Sequence, residues 1–167
     1  AENITVNLTD LPTSYMTATT NRLVYIHDDN TTVKNIKIIS NQNYDGTTYA
    51  MCDIGAGDYI VVDGLTHQTT TSAQAKIYVG FANSATTNVA IANAQRIGTG
   101  TANEFFWLGG SNVDKVIFRN IDDFGAVGAL YTIRNTTSAT DIYAAGVTTK
   151  SSTGATTGVT TTDSISI

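Results

Sequence analysis

The segments NVAIANA (88–94) and KVIFRNI (115–121) follow one template, and that template decides the fold. It returns in DIYAAGV (141–147), YIVVDGL (59–65), NIKIISN (35–41) and NITVNLT (3–9). The second position is Ile or Val, the fourth is usually large and apolar, and the seventh is mostly apolar. Ser40, Gly64, Asn93, Asn120 and Gly146 hold the sixth position, and Leu8 in the first segment departs from it. Successive starts lie 32, 24, 29, 27 and 26 residues apart. Alternation of apolar and polar residues over about five positions is the pattern of a half-buried strand. Asn and Gly tolerate left-handed backbone angles, so the sixth position predicts a tight corner once per repeat.

A second series interleaves with the first: LVYIH (23–27), YAMCDI (49–54), KIYVGF (76–81), EFFWLG (104–109) and LYTIRN (130–135), with GVTTTDS (158–164) as a degenerate sixth member. Aligning Val24, Ala50, Ile77, Phe105 and Tyr131 gives steps of 26, 27, 28 and 26. Two series with one period imply a repeat of about 27 residues holding two strands and no helix, which excludes leucine-rich and ankyrin repeats and is too short for a propeller blade. A parallel β-helix of five or six coils fits, each coil adding one strand to each sheet. An antiparallel sandwich is the competing all-β reading.

The expected inward residues are Ile36 and Ile38, Ile60 and Val62, Val89 and Ile91, Val116 and Phe118, and Ile142 with Ala144. In the second series they are Val24 and Ile26, Ala50 and Cys52, Ile77 and Val79, Phe105 and Trp107, and Tyr131 with Ile133. The run of large residues at 104–109 leaves its phase open, and a shift by one sends Trp107 out and Phe106 and Leu108 in. In the first phase Tyr25, Met51, Tyr78, Phe106 and Thr132 form one outward row. Aromatics in such a row suit a subunit interface, stacking on sugar rings or simple packing under a loop. Tyr25, Met51, Tyr78, Phe106 and Trp107 are therefore the candidate glycan-binding or interface residues.

The composition agrees with a solenoid. Of 167 residues, 30 are Thr, 10 Ser and 14 Asn, against one Pro and one Cys, Cys52. Strand formers outweigh helix formers. No apolar run is long enough to cross a membrane as a helix. The net charge of −5 and the lack of basic clusters argue against nucleic-acid binding. Residues 1–150 are expected to form the β-helix domain. Residues 151–167 are Thr-rich and are expected to end the solenoid as a weak coil or to meet a partner chain.

Catalytic signals are sparse. His27 and His67 stand in no nucleophile motif. No phosphate-binding loop and no transition-metal spacing occurs, so neither a cofactor nor a metal is expected. Only paired carboxylates remain, because glycoside hydrolysis uses two. Asp28 with Asp29 and Asp122 with Asp123 are the weak catalytic candidates, each pair just past a strand. Solvating a loop is the commoner use of such a pair.

The repeated N-[IV]-x-[IVF]-x-N coil with Thr- and Asn-rich connections resembles the single-stranded, right-handed parallel β-helix of bacteriophage tailspikes and tail or neck appendages. Pectate-lyase-like proteins share that coil. The resemblance covers residues 3–147 and rests on core and corner positions, so no catalytic residue is carried over. It implies an extracellular or virion-borne homotrimer that binds host surface glycans. The leading expectation is a non-catalytic structural and receptor-binding segment of a viral spike or fibre. The alternatives are a polysaccharide hydrolase or lyase and a bacterial surface adhesin or fibre-forming protein.

Overall fold

A computed structural model describes residues 1–9, 22–40, 50–69, 77–81, 85–98, 104–110, 112–125, 131–137 and 141–149, together with the backbone of 156–157, 160–161 and 164–166. The described chain is built from strands and turns and is a parallel β-solenoid. One sheet runs β1 (Glu2–Asn7), β3 (Thr32–Ser40), β6 (Val61–Thr69), β8 (Thr86–Gly98), β10 (Val113–Phe124), β12 (Ile142–Thr149) and β14 (Thr160–Thr161). The two-residue β5 (Gly57–Asp58) pairs with β8, and β15 (Ser164–Ser166) with β12. The other sheet runs β2 (Arg22–Ile26), β4 (Ala50–Ile54), β7 (Ile77–Val79), β9 (Glu104–Leu108), β11 (Tyr131–Asn135) and β13 (Thr156–Thr157). Every pairing is parallel.

Val33, Val62, Ile91, Phe118 and Ala144 stack in one column at steps of 29, 29, 27 and 26 residues, about 28 per turn. Both sheets together complete about four turns. That is fewer than the five or six expected, because the second sheet makes only four full steps from β2 to β11, and β13 to β15 are two or three residues long.

Each coil has two left-handed corners, where the repeat predicted one. The first is at Asn30, Tyr59, Asn88 and Lys115, and the second at Asn3, Asn35, Gly64, Asn93, Asn120 and Gly146, all at positive φ. The two are five residues apart and both suit Asn. The template therefore aligned NIKIISN and NITVNLT one corner out of place. Asn35 occupies the column assigned to Ser40, and Ile36 stacks on Leu65 instead of Ile60. At the second corner the alternation slips by one. Val116 and Phe118 point in, Arg119 and Asn120 both point out, and Ile121 and Asp123 point in again. The longer sheet is thereby bent into two legs.

The inward prediction for the first series holds in full. Ile36, Ile38, Ile60, Val62, Val89, Ile91, Val116, Phe118, Ile142 and Ala144 are all buried. Side-chain amides bridge the coils at the second corner. Asn35 Nδ2 donates to Asn3 Oδ1 at 3.1 Å, Asn93 to Asp63 at 2.7 Å and Asn120 to Asn93 at 3.1 Å.

Candidate functional site

The second sheet fixes which residues face outward. Val24, Cys52, Ile77, Phe106 and Ile133 form one inward column, and Ile26, Ile54, Val79 and Leu108 another. The alternate residues Tyr25, Asp53, Tyr78, Trp107 and Arg134 therefore make the outward row. Three of the five candidates, Tyr25, Tyr78 and Trp107, share it, but Tyr78 is buried against Phe81 and Trp107, and only Tyr25 and Trp107 keep partial exposure. Met51 and Phe106, expected outward, are fully buried in the core. Their places in the row belong to Asp53 and Trp107. The run EFFWLG takes the shifted phase at Trp107, yet Phe105 stays buried too. Consecutive residues of a coil are buried here, at Met51 to Gly55, Glu104 to Phe106 and Thr132–Ile133, so the alternation breaks. Tyr44 and Tyr49, the aromatics of the connecting stretch 41–49, lie outside the described residues.

The outward row is a chain of rings and guanidinium groups. At one end Tyr25 stacks on His27, with centroids 4.3 Å apart, and the Arg22 guanidinium lies 4.3 Å from the Tyr25 centroid. Arg22 Nε donates to Asp53 at 2.6 Å, and the Phe81 amide donates to the same carboxylate at 3.0 Å. Burial pushes the Asp53 carboxyl up against the pull of these donors. In the middle Tyr78 packs on Phe81 and Trp107, at 4.7 and 4.9 Å.

The other end is partly exposed. Trp107 is half-buried, and its indole N–H donates to Thr136 Oγ1 at 2.8 Å. The Arg134 guanidinium lies between the Trp107 and Tyr131 rings, 6.0 and 5.5 Å from their centroids. The nearly buried Glu104 holds it at 2.7 Å, while the Arg134 side chain stays 40% exposed. A half-exposed indole beside a pinned guanidinium offers an apolar ring face and N–H donors a few ångströms apart. Sequence reasoning missed Arg22, Phe81 and Arg134, and counted Asp53 and Glu104 only as further carboxylates without placing them on this face. The signal was present in Cys52 and Ile133, whose inward phase places Asp53 and Arg134 outward.

Asp28, Asp29 and Asp123 each have a separate partner. Asp123 is buried and chelates Arg96 at 2.7 Å through both oxygens, whereas Asp122 points to solvent from the other side of β10. Asp28 is a positive-φ residue whose side chain meets His27 Nδ1 at 2.8 Å. Asp29 accepts the Asp58 amide at 2.9 Å. Both act as turn ligands. No group of three His, Cys, Asp or Glu that could hold a metal ion occurs among the described residues.

A second polar cluster lies inside the coil. Past the second corner the interior column reads Val6, Ile38, His67, Arg96, Asp123 and Thr149, changing from apolar to polar along the axis. Arg96 also donates to the Glu104 carbonyl at 2.8 Å and lies over the Phe105 ring. Thr132 Oγ1 and the Gly125 amide donate to Asp123. His67 Nε2 meets Ser40 Oγ at 3.1 Å, and its Nδ1 has no partner among the described residues. Burial first, and then the Arg96 charge, push the His67 pKa down to about 3. The imidazole is neutral, and the cluster fills space in the core, sealed from substrate.

Comparison with protein-family models, with curated proteins and with solved structures finds no match.

Proposed function

We propose that this chain is a non-catalytic structural rod of an extracellular or virion-borne appendage, of the tail-spike or tail-fibre kind, and that it binds a surface glycan on the outer face of its shorter sheet. The supporting observation is the Trp107–Arg134 end of the outward row. Sugar rings present C–H faces that pack on aromatic planes, and their hydroxyls accept from fixed N–H donors. Trp107 and Tyr131 supply the planes, Arg134 the donors, and Glu104 holds Arg134 without blocking it. The separation of Asp122 from Asp123 leaves that candidate pair without the facing geometry that hydrolysis requires.

A glycan array probed with the whole chain and with Trp107→Ala tests the reading. Binding to at least one polysaccharide is expected, weakened about tenfold or more in the variant, as for a central aromatic anchor. An array with no binder, or a binder indifferent to both Trp107→Ala and Arg134→Ala, overturns it.

A further inference from the structure

Arg134 has hydrogen-bond donors to spare. A guanidinium carries five N–H donors in a rigid planar fork. Arg134 Nη1 donates to Glu104 Oε1 at 2.7 Å, and Nε and Nη2 have no hydrogen-bond partner among the described residues. The Arg134 side chain is 40% exposed and that of Glu104 only 3%, so solvent reaches the guanidinium but not the carboxylate that holds it. Arg22 and Arg96 are used differently. Arg22 gives Nε to Asp53 and Nη2 to the Phe81 carbonyl. Arg96 grips Asp123 and the Glu104 carbonyl inside the coil.

The acceptors beside Arg134 are already engaged. Thr136 Oγ1 accepts the indole N–H and donates its own proton to the Leu108 carbonyl at 2.9 Å. Asn135 Oδ1 accepts the Thr137 amide and hydroxyl, at 2.9 and 2.6 Å. The Tyr131 hydroxyl remains, and it can donate as well as accept. The neighbouring connections 99–103, 126–130 and 138–140 contain no Asp or Glu. A neutral sugar presents hydroxyls, and each brings a proton that needs an acceptor. A carboxylate or sulfate on the sugar brings acceptors only. It takes two N–H groups of the fork at once, in bonds roughly twice as strong as neutral ones. A site rich in donors and poor in acceptors, beside an aromatic plane, therefore selects a charged sugar.

We propose that the sugar unit held at Trp107 and Arg134 is acidic: its ring lies on the indole, and its carboxylate or sulfate is gripped by Nε and Nη2 of Arg134. This rests on the glycan reading and names the class of sugar. The chain's net charge of −5 is a weak opponent, because exposed charges more than about 8 Å apart are largely screened at physiological salt.

Titration of the whole chain with four polymers tests it: alginate, which carries carboxylates, carrageenan, which carries sulfates, and the neutral carboxyl-reduced alginate and dextran. Trp107 is the chain's one tryptophan, so its fluorescence reports on this site. Alginate or carrageenan is expected to shift that emission, and whichever does so identifies the anionic group. The neutral polymers should bind about tenfold more weakly or worse, and added salt should weaken the charged one. Arg134→Gln should bind the charged polymer no better than a neutral one. Because that variant leaves Glu104 buried without its cation, Glu104→Gln with Arg134→Gln is measured beside it, with circular dichroism confirming each fold. Charged-polymer binding indifferent to both variants overturns the proposal, as does no shift with either charged polymer. Neutral polymers that bind as tightly as charged ones, with binding lost in Trp107→Ala, overturn the acidic sugar and leave the glycan reading standing. An array with no binder at all removes both.

Discussion

A single backbone angle recurs at each second corner, and Asn holds it at four of the six positions. Asn120 has φ of 54° and donates its amide to Asn93. An L-residue with a plain Cβ at that angle costs about 1–2 kcal/mol. Asn120→Ala should therefore lower unfolding free energy by about that amount, and Asn120→Gly, which keeps the angle and loses only the side-chain bond, by less. Urea titration of both variants decides it, and equal losses would contradict the corner geometry. His67 makes a second prediction. Its folded pKa lies near 3, below the ordinary 6.5, so between those values the unfolded chain takes a proton that the folded chain refuses. Stability is then fully present above pH 6.5 and declines as pH falls towards 3, by up to about 1.4 kcal/mol per pH unit from this group. Thermal melts of wild type and His67→Gln should converge as pH drops through that window; a constant gap would contradict it. Cys52 is fully buried, and burial pushes its thiol up, so it should resist thiol reagents until the chain unfolds. Labelling kinetics check this, and rapid labelling of the native chain would place Cys52 outside the core.

Strand identity was legible at the level of elements, and strand phase was legible only in part. Every first-series residue expected inward is buried, because a period of two has one solution when one face is buried, but Leu65, Ile121 and Val147 past the corner were not foreseen. Two things hid the rest. The coil has two Asn-favouring corners five residues apart, so an Asn alone does not say which corner it marks. In β9 large apolar residues occupy consecutive positions, and alternation carries no information there. The buried polar column was illegible for a further reason. Arg96 and Asp123 become neighbours only after the corner resets the phase, and each reads locally as a solvated residue. Breaking one partner of a buried ion pair costs about 3–5 kcal/mol, while replacing both with apolar residues is often close to neutral. Arg96→Leu should therefore be severely destabilising. Arg96→Leu with Asp123→Leu should recover part of the loss, leaving Thr132 and the Gly125 amide without their acceptor. Denaturant midpoints test this, and additive losses in the double variant would show that the two residues act independently.

For the whole molecule, one short coil is repeated with a fixed interior and varied exterior. The interior sets the rod, and the unusual share of Thr, Ser and Asn follows from few environments used many times. The exterior differs by sheet. The shorter sheet leaves Tyr25, Trp107 and Arg134 partly exposed, and the longer sheet exposes Val61, Ile117 and Tyr143. In the proposed function the rod holds a polysaccharide without cutting it. The direct measurement mixes the chain with the polysaccharide selected on the array and follows protein and polymer together by size-exclusion chromatography with light scattering. Co-elution of the chain with polymer whose mass stays constant over prolonged incubation is the predicted result. A polymer mass that falls with time, or a chain that never co-elutes, would contradict it.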